Sequence, residues 1–480
     1  MSFLMSYPKK RFSFLTLAVM IAILVVSAGC SSKSSKDPVA SPAASGASPT
    51  AASVASATPK EDPKLTLTLW TTQTGTLSGQ KAGEWVEQDL AKEWNEIHPN
   101  VKIKVEIIPF DGINEKITTA IASKSAPDLL FDVPSRTLAY GQMGALATLD
   151  DIIPKEDLDK IHNNPGIMKM VTVNGKVVTM PYSSNPLALI VDKSIWKDAN
   201  AEKLLPSNEF RTWTPEQFKA ALKAVVNKDK GIYGASMFAL NEQGDSLYNS
   251  LFTSYGATLF NDDYSKYVAA DSPQAEQALS MIKSLVDEGL VNPHPESISA
   301  VNIVDFWKQR KTGMILGGPT HADIIKSGLK DGSVVGPHEY MYVSFPSPTE
   351  GKSALNMQIG YGTVFKNGDA NKEKWAKDFL YWSQTKSKTY ANAMKVFNPF
   401  SNEAPEWTKD DPEMQFLAKL ATKAKDWPVL DPGYGIKGYP EMRAAMFPEM
   451  QKMFINQSTP KQTIDTISKK FNDIITKYKK

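Results

Sequence analysis

Leu65-Thr66-Leu67-Thr68-Leu69-Trp70 alternates apolar and hydroxyl residues and ends on an aromatic, the period of a half-buried strand. Downstream, Val86, Leu90, Trp94 and Ile97 fall at i, i+4, i+8 and i+11, one stripe of a helix. Val101-Lys102-Ile103-Lys104-Val105 alternates again, Ile113, Ile117 and Ile121 mark a second helix, and Asp128-Leu129-Leu130-Phe131 reads as a short buried strand. Strand, helix, strand, helix, strand is the signature of an α/β fold.

Later helices start with one grammar. Thr214-Pro215-Glu216-Gln217 and Thr459-Pro460-Lys461-Gln462 each offer a Thr N-cap, Pro at the first helical position and Gln two further on. Ser272-Pro273 repeats the cap and the proline. The stripes behind these starts are Phe218, Leu222 and Val225; Ala278, Ile282 and Leu285; and Ile464, Ile467, Phe471, Ile474 and Tyr478. Trp94, Trp375 and Trp382 sit on such helices and read as core.

Composition excludes several function classes. The 480 residues are 42% hydrophobic and carry 54 basic against 52 acidic side chains, a net charge of +2. So even a balance gives no basic field for nucleic acid. A single cysteine removes any intrachain disulfide and every multi-cysteine metal or redox motif. The five histidines form no HExxH or HxxxH pair, so neither metal nor cofactor is expected. There is no Walker phosphate loop and no GxSxG elbow. Asp150-Asp151 and Asp262-Asp263 read as turn or cap acids rather than a hydrolytic pair.

Lys9, Lys10 and Arg11 precede a 17-residue apolar run, Phe12 to Ala28, which ends in Ser27-Ala28-Gly29 before Cys30. This resembles a bacterial lipoprotein signal, with Ser27 where leucine is usual; a membrane anchor and an ordinary secretory signal are the other readings. The resemblance implies removal of residues 1–29 and lipidation of Cys30. From Ser31 to Pro63 the chain holds nine Ser, eight Ala and five Pro, with no aromatic residue and no Leu, Ile or Met. Such a segment cannot bury enough apolar surface to offset chain entropy, so residues 30–64 read as a disordered tether.

Several segments of residues 65–480 together resemble extracellular solute-binding protein family 1, the maltose-binding-protein-like receptors of ABC importers. They are Glu93-Trp94-Asn95-Glu96-Ile97-His98-Pro99-Asn100-Val101-Lys102-Ile103, and Ile121-Ala122-Ser123-Lys124-Ser125-Ala126-Pro127-Asp128, where Lys124-Ser125 replaces the usual glycine. Asn174-Gly175-Lys176-Val177-Val178-Thr179-Met180-Pro181-Tyr182 follows, then Leu189-Ile190-Val191-Asp192-Lys193, with Asp192 for the usual Asn. Thr212-Trp213-Thr214-Pro215-Glu216, Phe306-Trp307 through Gly313-Met314-Ile315, and Gly360-Tyr361-Gly362 complete the order. No one motif is diagnostic; the ordered set is. The resemblance implies an α/β, two-lobed, class II periplasmic-binding-protein-like fold, each lobe built from discontinuous segments with a cleft between them. The expected division is 65–184 with 360–398, and 185–359 with 399–480.

Sugar recognition needs aromatic faces for the apolar side of the ring and planar polar groups for hydroxyls. Trp70 ends the first strand, where strand C-termini face a cleft, with core packing an equal reading; Gln73 follows in the loop. Past the third strand come Asp132, Ser135 and Arg136, readable also as a surface salt bridge. Asn185 lies at the expected hinge, where a turn role competes. Asp245 and Tyr248 precede Tyr255-Gly256, and Gly317-Gly318-Pro319-Thr320 lets backbone approach a ligand, with Thr320 where the family has an aromatic. Tyr361, between two glycines, has room to stack; Trp427 sits in a loop, for binding or lid packing; Trp213 reads as structural.

These expectations converge on a lipid-anchored extracytoplasmic receptor, a monomer that catalyses no reaction. It captures a sugar or oligosaccharide and docks on ABC permease subunits. A lipid-anchored glycoside hydrolase is the alternative, and a structural or sensory lipoprotein without a permease the third reading.

Overall fold

The computed structural model describes residues 62–479, apart from 78, 110–111, 242–243, 402 and 425–426. The leader, Cys30 and nearly all of the tether therefore lie outside the described residues. Two sheets organise the rest. In the first, β1 (Leu65–Thr72) lies at the centre, parallel to β2 (Val101–Ile108) with Leu65 opposite Val101 and Thr72 opposite Ile108. On its other side β1 runs parallel to β3 (Leu129–Phe131), and β10 (Thr363–Val364) closes that edge antiparallel to β3. The alternation read in β1 is structural: Leu67 and Leu69 are fully buried, and all of β3 is buried.

Helical residues Val86–Ile97 cover one face, beginning with a π-turn over Val86–Leu90. Val86, Leu90 and Trp94 are buried as their stripe requires, but Ile97 is 52% exposed. His98 takes the place expected for Ile97. Its ring lies tilted against Trp94 with centroids 4.2 Å apart, held by Asp62 at 2.7 Å, and Trp94 packs edge-on to Phe379 and Trp382 behind it. A small hairpin, β4 (Thr172–Val173) with β5 (Lys176–Val177), lies outside both large sheets.

The second sheet is built on β6 (Ser184–Asp192), whose outer half is flanked antiparallel by β7 (Met314–Gly317) and β8 (Tyr340–Val343). Its inner half pairs instead with β9 (Asn356–Ile359), Asn185 opposite Gln358. A third pass, at Phe397, exchanges main-chain hydrogen bonds with Ser184 at 2.7 and 2.8 Å. The β6–β9 pair and the bridge at Phe397 thus lie side by side between two α/β lobes, and each lobe is assembled from separated stretches of chain.

The helix starts follow their sequence grammar. Gln217 N–H donates to Thr214 Oγ1 at 3.3 Å while Thr214 N–H donates to Gln217 Oε1 at 2.9 Å; Thr459 and Gln462 repeat the pair at 3.2 and 3.0 Å. Ser272 makes no side-chain cap bond, and the helix Pro273–Asp287 starts there on proline's fixed φ alone. Gly360 and Gly362 have φ of +99° and +82°. A Cβ on Gly360 would lie 2.9 Å from Thr179, and one on Gly362 3.0 Å from Phe131, so both backbone angle and space demand glycine.

Candidate functional site

Asp132 leaves the end of β3, and Pro134 starts the helix Pro134–Gln142 directly after it. That puts Arg136 one helical turn from a carboxylate with no exposed surface. Arg136 Nε donates to Asp132 Oδ2 at 2.6 Å, a second guanidinium nitrogen donates to Oδ1, and Val133 N–H donates to Oδ1 at 2.8 Å. Burial works against the Arg136 charge, but the adjacent carboxylate more than restores it and raises the pKa. The pair is therefore buried and bidentate, not a surface bridge.

The second lobe repeats the device. Asp245 opens the helix Asp245–Ser254 and is 6% exposed. Arg443 Nε donates to its Oδ2 at 2.6 Å, Arg443 Nη2 to its Oδ1 at 3.1 Å, and Tyr439 OH to Oδ2 at 2.8 Å. Tyr439 and Arg443 stand at i and i+4 on the helix Tyr439–Phe454, which carries both onto one face. Asp245 again lifts the Arg443 pKa against the opposing effect of burial.

Arg136 and Arg443 line one cavity of about 490 Å³ between the lobes. Ser135 and Tyr140 come from the first lobe; Ile436, Lys437 and Tyr478 come from the second. The loop before Arg443 ties the lobes. Gln142 Nε2 donates to Gly435 O at 2.9 Å, and Lys169 Nζ reaches Asp431 at 3.2 Å while lying over the Tyr264 ring at 4.3 Å. Within that loop Tyr434 is buried, edge-on to Tyr439 at 5.3 Å.

Of the sequence candidates Arg136 lines this cavity, and Asp132 and Asp245 bond its two arginines; Trp70, Gln73, Asn185, Thr320 and Tyr361 are not among its lining residues. Tyr361 is 4% exposed, packed against Phe131, with its hydroxyl 3.1 Å from Thr72 Oγ1; burial pushes its pKa up to about 12 against the pull of that bond. Asn185 lies on the hinge, where a Cβ on Gly318 would come within 2.8 Å of its Oδ1. Thr320 is half-buried in the first turn of the helix Pro319–Asp331, and Gln73 is exposed in the loop after β1. Trp70 lies beneath Lys116, 4.6 Å from ring centroid to Nζ. Tyr248 and Trp427 lie apart from the cavity. Tyr248 is fully buried with its hydroxyl donated to Phe238 O at 2.6 Å, and Trp427 is buried against Phe210. Trp213 is core, its Nε1 bonded to Ser344 O.

Sequence reasoning missed Arg443, Tyr439, Tyr434 and Lys437. One signal was present: Gly433-Tyr434-Gly435 repeats the glycine–aromatic–glycine pattern noticed at Tyr361. Among the described residues no cluster of His, Cys, Asp and Glu is arranged to hold a metal, and no helix is long and apolar enough to cross a membrane.

Comparison with known proteins agrees with this architecture. The diacetylchitobiose binding protein DasA of Streptomyces coelicolor is 27% identical over 325 residues, 65% of this chain and 68% of that one. The ABC substrate-binding protein Lmo0181 from Listeria monocytogenes, solved with cycloalternan, superposes with a TM-score of 0.69 at 19% identity, covering 87% of this chain and 99% of that one. The cyclic alpha-maltosyl-1,6-maltose binding protein of Arthrobacter globiformis gives 0.66 at 19% identity, covering 86% and 99%. The profile of the bacterial extracellular solute-binding proteins matches residues 78–389, and the chain belongs to that family.

Proposed function

We propose that the chain is the lipid-anchored receptor of an ABC importer. It captures a sugar or oligosaccharide between its lobes and passes it, unaltered, to permease subunits at the extracytoplasmic face of the cell membrane. The observation that carries this reading is the cavity walled by both lobes, with an oriented arginine from each. At about 490 Å³ it falls within the roughly 300–1,000 Å³ of small-molecule sites. Tyrosine faces suit the C–H side of a pyranose ring, and Ser135 with the guanidinium edges suits its hydroxyls. The hinge of β6, β9 and Phe397 provides the axis about which 65–184 with 360–398 moves against the remainder. Lipidation of Cys30, after removal of residues 1–29, supplies the anchor.

Asp132 and Asp245 have both carboxylate oxygens engaged by arginine and main-chain N–H, an arrangement that serves orientation rather than proton donation. Thermal unfolding against a saccharide panel tests the function. A solute at 100 times its dissociation constant adds about 2.7 kcal/mol to the native state. We expect an upward shift with a saccharide recovered intact; cleavage of the bound saccharide would overturn the receptor reading.

A further inference from the structure

Resting on the saccharide-receptor reading above, we infer that the solute is an acylated saccharide. Its acetyl groups, in place of free hydroxyls, face the cavity that Met143 and Ile436 line from opposite lobes. Most polar side chains of that wall are already bonded within the protein. Arg136 and Arg443 hold Asp132 and Asp245 through paired bonds. Gln142 Nε2 donates to Gly435 O at 2.9 Å, and Thr118 Oγ1 donates to Asn114 O at 2.6 Å. Asn114 Oδ1 accepts the Tyr140 hydroxyl at 3.4 Å, and both oxygens of Glu441 lie within 3.1 Å of Lys477 Nζ. Lys437 is exposed, its Nζ 5.8 Å from the centroid of the Tyr478 ring, and Ser135 is half-buried. What this wall offers a solute is therefore richer in donors than in acceptors. A sugar hydroxyl has to donate as well as accept, whereas an acetyl carbonyl only accepts.

The remaining wall is apolar, and both lobes contribute to it. Ala139 and Met143 stand one helical turn apart on the first lobe, and Met143 is 52% exposed. Ile436 and Pro440 face the same cavity from the second lobe. Gly438 between them has a φ of +95°, and a Cβ there would lie 2.4 Å from the Tyr478 ring, so glycine lets that ring lie against the main chain at the cavity. Free saccharide hydroxyls gain nothing from such surface, but acetyl methyl groups leave water against it. Because the apolar residues come from both lobes, that gain is complete only when the lobes meet, which is what a ligand needs in order to favour the closed arrangement.

The test is calorimetric titration of the full-length chain in lipid nanodiscs, since detergent tails would compete for an apolar cavity. Two uncharged pairs are compared: O-acetylated xylo-oligosaccharides with their saponified parents, and N-acetylated chito-oligosaccharides with cello-oligosaccharides of equal length. Unacylated malto-oligosaccharides complete the panel. We expect the acetylated member of one pair to bind at least about tenfold tighter, from a methyl group leaving water and a hydroxyl no longer left without an acceptor. The xylan pair would identify an ester, the chitin pair an amide. Met143→Gln alters an exposed side chain of similar length and should narrow the gap about fourfold, the effect of one methyl group. Lys437→Met, also at an exposed position, should narrow it by removing a donor to the carbonyl. A gap unchanged in both variants would overturn the inference. So would an unacylated saccharide binding as tightly as the acetylated ones, while leaving the saccharide reading intact. Binding of no saccharide, acylated or free, would overturn both.

Discussion

Replacing Arg443 by methionine keeps most of the side-chain length and strands the Asp245 carboxylate. The Asp245 side chain is 9% exposed and that of Arg443 12%, so water screens the pair little. After the change Asp245 retains only the Tyr439 hydroxyl at 2.8 Å and the Ser246 N–H at 2.8 Å among the partners described here. Breaking a buried ion pair from one side costs about 3–5 kcal/mol, mostly because a charge is left without its partner. With a urea slope of about 3 kcal/mol/M or more for a chain this long, the unfolding midpoint should fall by about 1 M. The double variant Asp245→Asn with Arg443→Met removes the stranded charge and should recover at least half the loss. Urea unfolding followed by tryptophan fluorescence and circular dichroism measures both. A loss below about 1 kcal/mol for the single variant, or no recovery in the double, would refute the view that Asp245 is a buried charge held by Arg443.

Three other perturbations follow from the same structure. Gly362→Ala forces a φ of +82° on an L-residue and drives Cβ to 3.0 Å from Phe131 and Leu380, so chemical unfolding should show a loss of about 2–4 kcal/mol. Lys169→Gln removes the contact to Asp431 between the lobes; because that pair is partly exposed, solute affinity should weaken only about two- to fivefold, through faster release measured by stopped flow. Burial pushes His321 down to about 4, with its Nδ1 accepting the Gly318 N–H at 3.1 Å. Its folded pKa lies below the unfolded value near 6.5, so its contribution is full above that pH and is lost as pH falls toward 4. Against His321→Asn, the wild type should therefore lose relative stability between pH 6.5 and 4; parallel pH profiles would contradict this.

The strands and capped helices were legible because their signals are local. Alternation in 65–70 and the Thr-Pro-x-Gln starts need only the residues themselves, and the structure keeps both. Ile97 departs because His98, anchored by Asp62, closes over Trp94, and a periodicity cannot see a partner 36 residues away. The candidate site was legible by halves. Asp132 and Arg136 lie four residues apart, so their pairing was within reach, but Asp245 meets Arg443 across 198 residues. Tyr361 is closely packed because the space its glycine neighbours leave is filled by Thr179, Phe131 and Leu380. Nearly every residue of Asp245–Ser254 is buried, so Tyr248 could not be assigned to cleft or core by helical face.

Hydrogen exchange of the full-length protein, with and without a saccharide that raises its melting temperature, tests most directly whether solute is held between the lobes. The account predicts added protection in two places at once, the segment Asp132–Arg136 of one lobe and the segment from Asp431 to Arg443 of the other. Protection confined to one lobe, or binding with neither segment protected, would contradict it.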